Sequence, residues 1–130
     1  MEKKLDKNGY PLMDSEALCQ EALDLWGIDS QVWMAIEEMA ELTNALCKMK
    51  RGRNNPEDIV TEIADVQIMM EQLQLFFGKE EVDTERNRKL IRLHDRMCDY
   101  RVSWAKAEDA NENENPGAEQ GGEEPPMSME

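Results

Sequence analysis

The sequence predicts an all-α fold, and three observations support this prediction. Apolar residues recur at alternating steps of three and four along two long segments, no segment alternates like a strand, and glycines follow the ends of the periodic segments. A chain of 130 residues suits one compact domain better than two. We therefore expect a single domain resembling a four-helix bundle.

Each predicted helix has a start or stop signal. Asp14 or Ser15 caps the first helix, and Gly27 ends it. The third has the clearest start, because Asn55 can cap it and Pro56 suits the first helical position. The helices are predicted over roughly 15–26, 30–50 and 56–77, and from 80–84 to beyond 104.

Helices two and three each carry an apolar seam, and the short loop between them forces an antiparallel pair. Apolar residues outside the seams predict a second buried face, so we expect a homodimer or a dimer of dimers built through these two helices. The seam residues are Val32, Ala35, Met39, Leu42, Leu46 and Met49 on helix two, and Ile59, Ile63, Val66, Met70, Leu73 and Phe77 on helix three.

The chain divides by composition into a flexible arm (1–13), a helical domain (14–107) and a disordered acidic tail (108–130). The tail holds eight acids and no base, which leaves 21 acids against 15 bases in the rest of a chain whose net charge is −14. This acidity argues against nucleic-acid binding. The apolar runs are too short for a membrane span or a signal peptide, and three scattered cysteines without a CxxC predict free buried thiols, so we expect a cytoplasmic protein.

Four carboxylates are predicted to converge between helices two and three. Glu38 and Glu41 each precede a seam residue by one position, as do Glu62 and Asp65, so both pairs are rotated equally from their seams. Glu41 and Asp65 also lie at equal heights, about 13 Å from the turn. Hard oxygen ligands without His or Cys suit Mg²⁺, with Mn²⁺ as a possible substitute. The alternative is a solvated acidic face, because the same spacing recurs by chance at 21/24 and 80/83.

The segments Glu37-Glu38-Met39-Ala40-Glu41 and Glu62-Ile63-Ala64-Asp65, twenty residues apart, resemble the EExxE and ExxD motifs of the MazG-like all-α nucleoside triphosphate pyrophosphohydrolases. The resemblance covers roughly residues 26–97 and is strongest to the small single-domain forms of bacteria and their phages. It implies Mg²⁺-dependent hydrolysis of a nucleoside or deoxynucleoside triphosphate to the monophosphate and pyrophosphate. One position departs from the pattern: Met34 stands where many members carry Lys.

The resemblance also implies roles for the carboxylates. Glu38, Glu41, Glu62 and Asp65 are the implied metal ligands. Glu37 or Glu41 would orient the attacking water. Together with the metal ligand Glu38, they are the catalytic candidates.

Other residues are candidates for holding the substrate. Arg88, Lys89 and Arg92 on helix four are the preferred phosphate contacts, and Asn44 is placed to bond a base or sugar. The basic turn between helices two and three is the second choice, because it lies about 13 Å from the carboxylates. The basic turn comprises Lys48, Lys50, Arg51 and Arg53.

Two other functions stay open: a non-catalytic helical oligomer that binds a partner protein, and a phosphohydrolase acting on another nucleotide or diphosphate.

Overall fold

The structure, a computed structural model, describes residues 2–53, 55–114 and 117, and within them it contains four α-helices and no β-strand. The all-α prediction is confirmed. The chain divides into two compact units, Met1–Thr84 and Glu85–Glu130, and the boundary between them falls inside the last helix. The helices are α1 (Ser15–Trp26), α2 (Ile28–Lys50), α3 (Pro56–Phe77) and α4 (Lys79–Glu114).

The helix ends follow from local capping chemistry. The Asp14 side chain accepts a hydrogen bond from the backbone N–H of Ala17 and so caps α1. Asn55 caps α3 in the same way through the N–H of Asp58, with Pro56 in the first turn. Gly27 separates α1 from α2 with a φ of +83°, a conformation that side chains other than glycine rarely adopt.

The first unit is built on α3, which packs against both α2 and α1. Among the described residues, only six side chains have less than a tenth of their surface exposed. Two of them are glutamines: Gln31 on α2 donates from Nε2 to Gln72 Oε1 on α3, at 2.6 Å. This bond pairs the Gln31 donor with the Gln72 acceptor inside the contact between the helices. The buried residues are Cys19, Leu23, Gln31, Ala35, Met69 and Gln72.

The predicted apolar seams match the buried faces of the two long helices only in part. On α2, the seam residue Ala35 is buried, at 1% exposed, whereas Met39 is 41% exposed. On α3, the buried residues are Met69 and Gln72, each one position before a half-buried seam residue, and the seam residue Phe77 is 67% exposed. The difference arises because α2 and α3 carry apolar residues on more than one face, so periodicity alone does not select the face that meets the neighbour.

Both ends of the chain contain local structure. Residues 4–12 form a tight turn in which the Asp6 carboxylate accepts hydrogen bonds from two backbone N–H groups, with an isolated bridge between Leu5 and Pro11. Helix α4 continues to Glu114, seven residues into the segment expected to be disordered. The rest of that segment, apart from Gly117, lies outside the described residues.

Two further expectations concern membranes and thiols. None of the helices in the described part of the chain is long and apolar enough to cross a bilayer. All three cysteines are free, but only Cys19 is buried, and Cys47 is exposed. The expectation that all three thiols are buried is therefore wrong.

Candidate functional site

The register between α2 and α3 sets the geometry of the carboxylates. The Gln31–Gln72 hydrogen bond fixes these two residues opposite each other in an antiparallel pair. Ten residues towards the turn on each helix, Glu41 and Glu62 are therefore level with each other. By the same register, Glu38 is level with Asp65. The sequence predicts Glu41 at that level, so the observed pairing is shifted by about one helical turn.

Three of the four predicted carboxylates form a tight cluster. One oxygen of each of Glu38, Glu41 and Glu62 lies within 4.8 Å of the others, a spacing at which one metal ion can contact all three. Asp65 is outside this set, although its charge acts on both Glu38 and Glu62. Glu37 is exposed and also stands outside the cluster.

The cluster is electrostatically unfavourable as it stands. The pKa of Glu38 is raised, first by removal of the carboxylate from water and then by the charges of Asp65, Glu41 and Glu37. The pKa of Glu62 is raised for the same reasons, with desolvation first and the charge of Glu41 next. The folded chain thus holds like charges together at a cost.

Two oxygen atoms in the cluster have no partner. Within the described residues, Glu38 Oε2 and Glu62 Oε2 are shielded from solvent and make no hydrogen bond. Buried carboxylate oxygens are normally satisfied, since leaving one unpaired costs free energy. A hard divalent cation bound by these oxygens would supply the missing contacts and neutralise the repulsion, so the donor set fits Mg²⁺ or Mn²⁺.

A cleft of about 290 Å³ extends from the cluster towards the α2–α3 turn. It follows one face of each helix, because its α2 residues recur at steps of three or four and so do its α3 residues. Residues of the basic turn line the far end. The lining consists of Glu41, Asn44, Ala45, Lys48, Arg53, Asn55, Asp58 and Glu62.

The cleft includes some of the predicted substrate-binding residues and not others. Asn44 lines it, one helical turn beyond Glu41. The three predicted phosphate contacts on α4 belong to the second unit. Arg88 donates from Nε to Glu85 at 2.9 Å, and Lys89 pairs with Glu85 at 3.7 Å, while Arg92 is exposed.

Several residues of the site were ranked low or missed from the sequence. Lys48 and Arg53 were the second choice for phosphate contacts, and Asn55 was considered only as a helix cap. A spacing signal exists for Lys48, which follows Glu41 by seven residues and so repeats on the same helix face. No comparable signal exists for Arg53, because it lies outside both helices.

Comparison of the chain with protein-family models, with curated proteins and with solved structures finds no match.

Proposed function

We propose that this chain is a Mg²⁺-dependent nucleoside triphosphate pyrophosphohydrolase of the MazG-like type, releasing pyrophosphate and leaving the nucleoside monophosphate. The observation that carries the proposal is the cluster of Glu38, Glu41 and Glu62, with two oxygen atoms that are buried and unpaired. These are three of the four residues that the EExxE and ExxD motifs nominate as ligands. The fourth, Asp65, is level with Glu38 and completes the set.

The metal is assigned to these carboxylates because they offer only oxygen donors and, in the part of the chain that the structure describes, form no salt bridge. When bound, Mg²⁺ supplies charge neutralisation for the phosphates and a lowered pKa for a water molecule. The chain supplies the rest. Glu38 and Glu62 position the ion from opposite helices, and Glu41 faces both the cluster and the cleft.

The reaction transfers the nucleotidyl group of the substrate to water. Water adds to the α-phosphorus as the bond to the bridging oxygen breaks, and pyrophosphate leaves. The proton of the attacking water passes to a carboxylate, either Glu41 at the inner end of the cleft or Glu37 beside Glu38. Asn44 bonds the substrate from the wall of the cleft.

The proposal includes a homodimer or a dimer of dimers in the cytoplasm. Both α2 and α3 leave large apolar side chains exposed, and a second copy of the chain is the partner that fits such faces. The exposed apolar residues of α2 and α3 are Trp33, Met34, Ile36, Met39, Leu46, Met49, Val60, Ile63, Ile68, Phe76 and Phe77.

The test is pyrophosphate release from a panel of NTPs and dNTPs with Mg²⁺. We expect wild-type turnover and a loss of at least about 100-fold in Glu38→Gln/Glu62→Gln, because both metal-holding charges are gone. The matched control is Glu21→Gln/Asp24→Asn, which removes two exposed acids that lie three residues apart on α1. The control should retain wild-type turnover.

The outcomes separate the alternatives. Release of orthophosphate, or turnover only on other diphosphates, favours a related phosphohydrolase. Absence of turnover on every substrate, with the oligomer intact, favours the non-catalytic helical oligomer. Equal loss in the carboxylate variant and its control contradicts the assignment of the site.

A further inference from the structure

The cleft changes charge along its length. Its inner end is formed by Glu41 and Glu62, and its outer end carries Lys48 and Arg53. Lys48 lies seven residues after Glu41, about 10 Å along the axis of α2. Arg53 follows the end of the helix and is brought back to this side by its backbone N–H, which donates to the carbonyl of Lys48 at 3.0 Å.

The two cations at the outer end are not engaged elsewhere. Within the described residues, neither the Lys48 ammonium nor the Arg53 guanidinium has a salt bridge or a side-chain hydrogen bond. Among the acids of the cleft lining, Asp58 already accepts a hydrogen bond from Asn55 Nδ2 at 2.7 Å as part of the α3 cap. Two uncommitted cations in a concave surface beside a candidate metal cluster indicate an anion site.

We propose that Lys48 and Arg53 bind the terminal phosphates of a polyphosphate whose metal-contacting part lies at Glu41 and Glu62. This inference rests on the proposed function for the metal at the inner end. The cleft volume of about 290 Å³ is at the lower limit of small-molecule pockets, roughly 300 to 1,000 Å³. It therefore accommodates a phosphate chain and leaves the nucleoside outside the cleft.

The charge balance of the cleft makes polyphosphate binding dependent on a metal ion. Its lining carries three carboxylates, Glu41, Asp58 and Glu62, against the two cations. A polyanion is repelled from this surface until a divalent cation neutralises the two carboxylates at the inner end. Arg and Lys then contribute charge-assisted hydrogen bonds to the phosphate oxygens at the outer end.

Calorimetry with inorganic tripolyphosphate tests the inference, since this probe has the phosphate chain and no nucleoside. Wild type should bind it with Mg²⁺ and not with EDTA. Lys48→Gln/Arg53→Gln should weaken binding about 100-fold, roughly tenfold for each charge-assisted contact. The matched control, Lys50→Gln/Arg51→Gln, removes two exposed charges from the same turn outside the cleft lining and should change affinity by less than about threefold.

Mn²⁺ titration without phosphate shows whether each variant still folds and holds metal. The single variants Lys48→Gln and Arg53→Gln stand in if the double variant fails that check, each with a loss of about tenfold. The charge-conserving exchange Lys48→Arg/Arg53→Lys should restore most of the affinity. Equal losses in the cleft and control variants, or unchanged affinity without Lys48 and Arg53, would overturn the inference.

Failure of the inference and failure of the proposed function give different results. Pyrophosphate release from NTPs that is unaffected in Lys48→Gln/Arg53→Gln contradicts the inference and leaves the proposed function standing. Mg²⁺-dependent tripolyphosphate binding that needs both residues, in a chain that cleaves no NTP, supports the inference and contradicts the proposed function. Wild type that binds no tripolyphosphate with Mg²⁺ contradicts the inference in either case.

Discussion

Glu38 on α2 and Glu62 on α3 belong to one carboxylate cluster, and within the described residues each keeps one oxygen away from water without a hydrogen bond. Both carboxylates have a raised pKa, with desolvation as the main cause and neighbouring acids as the second. Such an arrangement costs stability in the bare chain and becomes favourable when a cation is bound. The stability of the protein therefore reports on the site independently of turnover.

We expect Glu38 and Glu62 to make the metal-free protein less stable as the pH rises. A carboxyl group whose pKa is higher in the folded state than its ordinary value of about 4.3 binds protons more tightly when folded. The stability it contributes is fully present below that value and is lost as the pH rises through the raised pKa. Glu38→Gln should remove part of this dependence and be more stable than wild type at pH 7.

Urea denaturation in EDTA between pH 4 and pH 8 measures this effect. Glu21→Gln, which removes an exposed acid from α1, is the control and should follow the wild-type curve. A Glu38→Gln protein that is less stable than wild type at pH 7 without metal would contradict the electrostatic account.

Metal ions should reverse the penalty. Mg²⁺ or Mn²⁺ at about 100 times its dissociation constant should stabilise the folded chain by about 2.7 kcal/mol, because it binds the assembled carboxylates and not the unfolded chain. Thermal unfolding with and without the ion measures this gain. The gain should vanish in Glu38→Gln/Glu62→Gln and persist in Glu21→Gln/Asp24→Asn; an equal gain in both variants would place the metal elsewhere.

At the scale of helices, the register of α2 against α3 decides which carboxylates meet. The buried Gln31–Gln72 hydrogen bond lies ten residues from the Glu41–Glu62 level and holds that register. A purely apolar contact accepts shifts of one helical turn more readily, because apolar packing has no directional partner. The polar pair gives the interface a specific alignment.

Breaking this pair should cost more than removing it. Gln72→Leu leaves the buried Gln31 amide without its acceptor, which costs about 1–3 kcal/mol. Gln31→Leu/Gln72→Leu should cost less than the sum of the two single variants, because neither polar group is then left unpaired. Chemical denaturation of the four proteins as a double-mutant cycle measures the coupling, and strict additivity would contradict a specific role for the bond.

At the scale of the whole molecule, the single chain buries very little. Within the described part of the chain, the apolar residues with less than a tenth of their surface exposed are Cys19, Leu23, Ala35 and Met69. Trp33, Ile63 and most other large apolar residues remain exposed. A core of this size gives a single chain little stability. The exposed faces of α2 and α3 are the reason why we propose an assembly of several copies.

A charged residue on the α2 and α3 faces should break the assembly. We expect Ile36→Lys/Ile63→Lys to be monomeric and less stable at micromolar concentration, because the charges would have to be buried without partners in the oligomer. Sedimentation velocity measures the mass. Leu12→Lys, at an exposed apolar residue of the N-terminal turn, is the control and should keep the wild-type mass; a monomeric wild type would contradict the oligomer.

The sequence predicted the helices closely because their ends depend on nearby residues. Asp14, Asn55 and Pro56 act within one turn, so α1 and α3 begin where the sequence places them. Gly27 and Gly78 end these two helices. Helix α2 begins at Ile28, about two residues early, because its start lacks a side-chain cap. Helix α4 runs to Glu114 through residues whose composition favours disorder.

The sequence by itself determined the all-α class, the antiparallel α2–α3 pair and the nomination of four carboxylates. Only the tertiary structure decided which face of each helix is buried and that Glu41 is level with Glu62. The physical reason is that both helices are apolar on more than one face, so periodicity leaves their rotation undetermined. Their register is set by contacts between residues far apart in sequence, above all Gln31 with Gln72.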